Sequence, residues 1–474
     1  MQEALTASQE ADAQELARAI VSATEADVLE IARTLIGSTP ATLFGANEFE
    51  VRDIVLRVAA KAYEQHLARK KNGYEGSSVT CPDCDGAAAY HSQRGRHVVS
   101  ALGPLRFDRT YYYCRHCSQG FTPFDLQAGF TDRQLTPAAE RLATLAGATC
   151  ESFERGADHL QEMAGIRLSE STVERTTEDV GARLVEMFSQ DQTVGPAVQW
   201  KWHLDALGKK VAYITIDATG TRQQRSGGKK AEGRMAYVAS VYNPRPADGL
   251  LDPGKKPPEM QARYLSGLYS LDEMGPPLRR LAARVGMEDA EVWVALTDGG
   301  NGLEDFCQEN FNRPDLVLIL DFYHAASYLE GLAKALFPQA EEQAKAQAEQ
   351  WCRLRKAEGG ALTLAALEET EWPARKSAAL KEALETTSRY FANNVHRMEY
   401  PEYQARGWQI GSGVVESACK TVVGQRMKGA GMRWSEKGAH ALCHVRALYR
   451  SEKGQWDSFW ERRFTKKPSV QQQM

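Results

Sequence analysis

The sequence predicts a multidomain α/β protein, and three features carry that expectation. Two Cys-x-x-Cys pairs, Cys81-Pro-Asp-Cys84 and Cys114-Arg-His-Cys117, mark a small metal-stapled module. Apolar, largely β-branched runs, VAYITID and MAYVASVY and later VWVALT and LVLIL, supply strands. Residues 325–400, rich in Ala, Glu, Lys and Leu, read as almost wholly helical and interrupt the core before a final glycine turn and helix.

At 474 residues the chain exceeds one domain on the usual scale of about 150 residues each. A hydrophobic content of 43% with 25% charged residues excludes wholesale disorder. No window holds the roughly 18 uninterrupted apolar residues of a spanning helix, and Met1–Glu10 lacks the basic and apolar parts of a signal peptide. The expectation is a cytoplasmic protein with no membrane partner. Nine cysteines are too few for a disulfide scaffold of this length, so paired cysteines point first to metal. The net charge of -4 hides an asymmetry. Residues 1–50 carry nine acids against two bases, whereas residues 405–468 carry thirteen bases against five acids. A basic C-terminal face of this kind suits phosphate, although a merely solvated helix face has the same signature.

The elements follow in order. Residues 1–75 form a helical segment: Leu16, Ile20, Val21, Val28, Ile31 and Leu35, then Val51, Ile54, Val55 and Val58, recur at helical spacing before the polar linker KKNGYEGSSV. Residues 76–130 are a zinc ribbon. Two tight turns each present two thiolates, and together Cys81, Cys84, Cys114 and Cys117 make a closed tetrahedral sulfur site for structural zinc. Between them Val98, Leu105 and Phe107 alternate with polar neighbours as a hairpin requires, and Arg94, Arg96, Arg106, Arg109 and Arg115 are available to phosphate. Residues 131–190 hold a helix-turn-helix candidate: SFERGADHLQEM, a turn at Gly165, and a second helix capped by Ser169, with Arg175 placed to read DNA. A generic helical hairpin has the same pattern.

Residues 200–324 are the first part of the core, 325–405 its helical insertion, and 406–474 its last helix with a basic tail. Strands VAYITID and MAYVASVY are joined by a basic glycine-bearing hairpin; residues 244–277, rich in Pro and Gly, receive no firm element until a helix from Pro276 to Val285. Asp217 sits in the first strand, Asp298 ends VWVALT ahead of two glycines, and Glu416 lies one turn into a helix announced by Gly411-Ser412-Gly413, with Ser412 as its expected cap. Acids on separate strands and a distant helix are the ligand logic of an RNase H-like fold, where they hold two Mg2+ ions about 4 Å apart. Asp321 and His324 form a DxxH element after LVLIL. They are a supporting pair or, equally, a satisfied core pair with no catalytic part, and Asp321 is the rival for the second metal position; Asp298 is preferred because its Gly-Gly exit leaves room for metal and DNA, whereas Phe322 and Tyr323 follow Asp321. Around Glu416, Lys420, Arg426, Lys428, Arg433 and Lys437 interleave with Trp408, Met432 and Trp434, a mixture suited to a DNA end and equally to helix packing. Glu170, Asp205 and Asp272, without motif context, are read as surface acids.

ITIDATGTR, ALTDGGNG, LDFYHAASYL and GSGVVESACKTVVGQRMKGAGMRWSEKGAHAL resemble bacterial insertion-sequence DDE transposases of the ISKra family, whose catalytic core is related to Mutator-like transposases. The resemblance covers roughly residues 130–450 and the ribbon, and is most specific in the C-terminal block. It implies that Asp217, Asp298 and Glu416 are the metal-binding catalytic triad, and that Asp321-Phe-Tyr-His324 is the C/DxxH element in its Asp form. It further implies terminal-repeat and target DNA as partners, homo-oligomerisation on DNA, a nucleoid-associated bacterial location, and cleavage and transfer of DNA strands without a covalent enzyme intermediate. Two other classes remain open at this stage: a non-catalytic zinc-ribbon regulator descended from a transposase, and a structure-specific nuclease.

Overall fold

Thr6 opens the first helix with a capping box, its hydroxyl accepting from the Gln9 backbone while Gln9 reaches back to the Thr6 N–H. In the computed structural model, which describes residues 5–130, 134–225, 229–244, 259–300 and 302–465, this helix is α1 (Ala7–Ile36). Lys466–Met474, residues 226–228 of the basic hairpin and residues 245–258 of the Pro/Gly-rich stretch lie outside the described residues. The chain divides into two compact units, one running to Thr177 and resuming at Phe459, the other spanning Glu178–Ser458. The second unit therefore ends before the expected core segment 406–474 does.

In the first unit α1, a short α2 (Pro40–Leu43) and α3 (Ala46–Ala68) make an antiparallel hairpin. Asp27 of α1 is buried and accepts from Arg57 at 2.9 Å and Lys61 at 2.6 Å on α3. The ribbon follows as an antiparallel sheet in the order β1 (Ser78–Thr80), β2 (Ala87–Ser100), β3 (Gly103–Cys114), β4 (Gln119–Phe121). Val98, Leu105 and Phe107 point inward as their alternation predicts, packing with Ala60 and Leu67 of α3 and with Phe124 of α4 (Pro123–Ala128). Arg96 and Arg109 are not free for phosphate: both grip the half-buried Asp125, at 2.7 and 2.8 Å. Helices α5 (Pro137–Thr149) and α6 (Phe153–Ala164) come next, and Gly165, at φ +66°, ends α6 in the left-handed conformation that favours glycine. Ser169 then accepts from the Thr172 N–H at 3.2 Å and opens α7 (Glu170–Ser189).

The second unit is built on one sheet. A two-residue β5 (His203–Leu204) pairs with β6 (Lys210–Thr221); the main path runs β10 (Leu316–Leu320), β9 (Val292–Thr297), β6, β7 (Arg234–Asn243), β8 (Gln261–Gly267). The pairs β6–β7 and β7–β8 are antiparallel, while β6–β9 and β9–β10 are parallel. Strand β8 lies inside the stretch left without an element. Its Arg263 makes it read as polar, but that guanidinium is fully buried against Glu452 at 2.7 Å. Helix α8 (Leu271–Ala283) begins five residues before Pro276, because Ser270 and Glu273 form a capping box there and the two prolines ride inside the helix.

Side chains alternate across β6. Ala212, Ile214 and Ile216 join Val241 and Leu265 under α8 and α9 (Leu303–Asn310), closed by Trp200 and Trp202. Val211 and Tyr213, with Val294, Leu296 and Ile319, face the helical insertion: α10 (Phe322–Leu336), α11 (Glu341–Glu369), α12 (Ala378–Asn394) and α13 (Tyr400–Ala405). Asp217 belongs to this second face by the same alternation. The chain then forms α14 (Gly413–Ala418), a π-helical turn at Cys419–Gly424, the short α15 (Gln425–Met427), α16 (Glu436–Arg450) along β8, and α17 (Gln455–Thr465).

Candidate functional site

The four ribbon cysteines gather into a single cluster whose sulfurs all lie within 4.8 Å of one another, the only such metal-ligating group among the described residues. Cys81 and Cys117 are 3.6 Å apart, as are Cys84 and Cys114. A tetrahedron of sulfurs about 2.3 Å from a central zinc has edges near 3.8 Å, so the cage matches such an ion. Local chain geometry builds it: Asp85 and Ser118, each directly after the second cysteine of its pair, turn the backbone at φ +57° and +60°. Backbone N–H groups of Cys117 and His116 point at Cys114 and lower its thiol to about 7, whereas burial pushes the Cys117 thiol up to about 12. His116 is exposed and stands outside the cluster. The cluster can hold a structural metal such as zinc.

The acids of the second unit are arranged differently. In the parallel register Thr215 of β6 stands opposite Leu296 of β9, and Thr297 of β9 opposite Leu320 of β10. Continued, that register sets Asp217, Asp298 and Asp321 level on three neighbouring strands. Asp217 and Asp298 are close enough to feel each other's charge. Burial pushes the Asp217 carboxyl above its ordinary range; its own Ala218 N–H opposes that, Asp298 adds to it, and Cys419 and His324 oppose it. Asp217 accepts from the Ala218 N–H at 2.6 Å and from the Cys419 thiol at 3.5 Å. Asp298 accepts from the Gly300 N–H at 2.9 Å, turning the chain away from β9. Gly299, at φ +83°, is required at this exit: a Cβ would come within 2.8 Å of Leu320 and 3.1 Å of the Tyr390 hydroxyl.

Asp321 is a structural clamp. It is 3% exposed, and its two oxygens accept from the backbone N–H groups of His324 and Ser412. The DxxH contact thus runs through the His324 backbone, not the imidazole. The ring is exposed, lies against Tyr328 and Tyr390, and lowers the pKa of Asp217. The Ser412 hydroxyl does not cap α14; its N–H is instead spent on Asp321. Glu416 is on α14, which packs against β6, but its carboxylate is exposed and paired with Lys420 at 2.7 Å. Among the described residues the three acids do not converge into one tight group.

The basic residues near Glu416 divide by burial. Lys420, Lys428 and Arg433 are exposed, and Lys428 donates to Thr219, two residues beyond Asp217 on the same face of β6. Arg426 and Trp434, expected to face DNA, are instead 2% and 7% exposed; the guanidinium lies 5.1 Å from the Trp434 ring, whose N–H donates to the Met427 carbonyl. The tryptophan fixes the loop after α15 alongside the end of β6. Arg446 is also internal, donating to backbone carbonyls of the π-helical turn. Part of the C-terminal positive charge is therefore inside the protein. Arg175 is exposed on α7.

Several residues had no sequence signal. Cys419, the first residue of the π-helical turn after α14, reaches Asp217, and such turns are enriched at functional sites. Tyr390, from the insertion, donates to the Asp298 carbonyl at 2.9 Å and stacks on Tyr328. Asp205, read as a surface acid, is buried: burial alone would raise its carboxyl, but Arg406 at 3.0 Å and two backbone N–H groups hold it below its ordinary value. No helix among the described residues is long and apolar enough to cross a membrane. Compared with known protein families and with curated proteins, the chain matches none.

Proposed function

We propose that the protein is a DNA transposase of the ISKra type, with an RNase H-like core that cleaves DNA strands and transfers the resulting 3' ends. The observation that carries the reading is the level pair of Asp217, four residues before the end of β6, and Asp298, directly after the end of the parallel neighbour β9, in a sheet whose order is β8-β7-β6-β9-β10 with only the first two pairings antiparallel. Three antiparallel strands followed by two parallel ones added beyond the first is the RNase H arrangement, and the helix bearing Glu416 packs on the same central strand.

Carboxylate oxygens suit hard divalent cations, and Asp217, Asp298 and Glu416 would hold Mg2+. Two such ions would activate the attacking oxygen and stabilise the departing one. The residues of the chain do the remaining work. The charge of Asp298 works against ionised Asp217, which would make the pair receptive to a cation. Glu416, whose exposed carboxylate pairs with Lys420 at 2.7 Å, would turn from that lysine to serve as the third ligand. Lys428, Lys420 and Arg433 neutralise phosphate beside the acids, while α7 with Arg175 reads the terminal repeats. The four-cysteine ribbon takes Zn2+ as a structural ion, and oligomerisation on DNA brings two ends together.

The test is Mg2+-dependent cleavage and joining of DNA carrying the element's ends. Asp217→Asn, Asp298→Asn and Glu416→Gln should each lower the rate at least about 1,000-fold while leaving DNA affinity in Ca2+ near that of the unmodified protein. Because burial and Asp298 both work against ionised Asp217, Asp217→Asn should hold or raise the melting temperature. Full activity in Glu416→Gln would refute the triad; DNA binding with no cleavage in the unmodified protein would favour the regulator.

A further inference from the structure

Helix α1 is thirty residues long, yet its only fully buried positions are Thr24 and Asp27. Ile20, Thr24, Asp27 and Ile31 follow the spacing of one helix face, the face from which Asp27 reaches α3. A second apolar strip adjoins it. Val21, Val28 and Leu35 recur every seven residues and stand 68%, 55% and 46% exposed; Leu29 and Ile36 repeat the interval beside them. Ten of the 22 exposed large apolar side chains among the described residues fall between Leu5 and Tyr63. The ribbon covers α3 through Ala60 and Leu67 but leaves this strip of α1 open, and the usual solution for an open helical hairpin is a second pair, which completes a four-helix bundle.

We propose that the uncovered strip of the α1–α3 hairpin docks on the same strip of a second copy of this chain, giving a two-fold symmetric four-helix bundle. Three properties favour that occupant. Side chains at seven-residue intervals mesh with an identical series on a partner helix, so the strip is complementary to itself. Val21, Val28, Leu29, Leu35 and Ile36, about half exposed or more, leave on the order of 500 Å² uncovered on each copy, so a pair of strips reaches the roughly 1,000 Å² in total that a specific interface needs. Residues 7–68 carry ten acids against five bases, which turns away nucleic acid. This assembly is independent of the catalytic reading, because it forms without DNA.

Its charge gives the association a signature. Two acidic hairpins repel each other, so added salt should strengthen the dimer, whereas a hairpin seated on the basic segment after residue 405 of another copy should dissociate in salt. The experiment is sedimentation velocity of the full-length, DNA-free protein at about 20 µM in low salt and at about 0.5 M NaCl. A dimer maintained or favoured at high salt is expected, with the triple variant Val21→Glu, Val28→Glu, Leu35→Glu monomeric while its helical circular dichroism and bound zinc stay unchanged. An unmodified protein that is monomeric, a dimer lost in high salt, or a triple variant that still dimerises would each overturn the proposal. Should the triple variant misfold, Val21→Cys, Val28→Cys and Leu35→Cys, made singly, are treated with a short bis-maleimide. At least one should yield covalent dimer above the background of the unmodified protein, and none doing so would overturn it.

Discussion

The ribbon cluster and the carboxylate site differ in how far each is assembled by its own chain. In the ribbon, two short turns and one hairpin bring four sulfurs together, and each left-handed residue that shapes a turn directly follows a cysteine. In the second unit, Asp217 and Asp298 come from different strands, and Glu416 arrives after an insertion of some eighty residues with its carboxylate turned to Lys420. A structural site needs only to be closed, so local geometry suffices. The second site, which in the proposed function would admit DNA and an ion, has its acids held apart and its surroundings fixed by other residues.

The largest effect should come from breaking the closed site. Cys114→Ser should release the metal and unfold the ribbon, because metal binding in such modules supplies on the order of 10 kcal/mol of folding free energy. The other unit should be indifferent. Eight of the nine tryptophans lie between residues 200 and 456, so tryptophan fluorescence in a denaturant titration reports mainly on that unit, and its midpoint should not move. A shared loss of both signals would mean that the two regions do not fold separately.

A smaller effect separates the clamp from the acids it resembles. Asp321→Asn removes the charge from two buried hydrogen bonds and should cost about 2–3 kcal/mol in stability while slowing the proposed cleavage without abolishing it. Asp298→Asn should do the reverse. If Asp321→Asn is inactive at unchanged stability while Asp298→Asn stays active, Asp321 rather than Asp298 takes the second position of the proposed metal site.

The smallest effect is set by protons. Burial holds His444 neutral, down at about 3, while in the unfolded chain it titrates near 6.5. The unfolded state therefore binds the extra proton, and stability is full above 6.5 and falls as the pH drops toward 3, by up to about 1.4 kcal/mol per unit. Urea midpoints from tryptophan fluorescence at pH 7.5, 6.5 and 5.5 should show that decline, and His444→Gln should flatten it. Thiolates of the ribbon also need protons kept away, so mild acid should weaken both regions, the ribbon through metal release.

Much of this was legible in the sequence where a signal was local. The cysteine turns, the Gly165–Ser169 junction, the β6–β7 pair and the glycine exit after Asp298 are short-range statements, and the chain obeys them. Strand β8 was hidden because Arg263 reads as a surface residue until Glu452, nearly 190 residues later, neutralises it. The start of α8 was obscured by two prolines, although Ser270-x-x-Glu273 was readable. Arg426 and Trp434 misled for the opposite reason: a basic and an aromatic side chain beside a candidate site look like a DNA contact, and only packing reveals that they hold each other inside. Asp205 likewise gained its meaning from a partner two hundred residues away.

The clamp at Asp321 also bears on how such a protein can change over time. The insertion leaves the sheet just after Asp321 and returns at Ile410–Ser412, where the Phe322 N–H donates to the Ile410 carbonyl at 2.8 Å and the Ser412 N–H meets the Asp321 carboxylate. Departure and return are thus stitched at one point, and the helix bearing Glu416 takes its bearing from that stitch. Lengthening the α11–α12 connection around Trp372–Ser377 would cost only about 0.6 kcal/mol for each doubling of loop length, and would leave the acids where they are. The excursion is free to acquire new surfaces, in evolution or by engineering, as long as Asp321, Ser412 and the strand-end contacts from Tyr390 and Arg397 are kept.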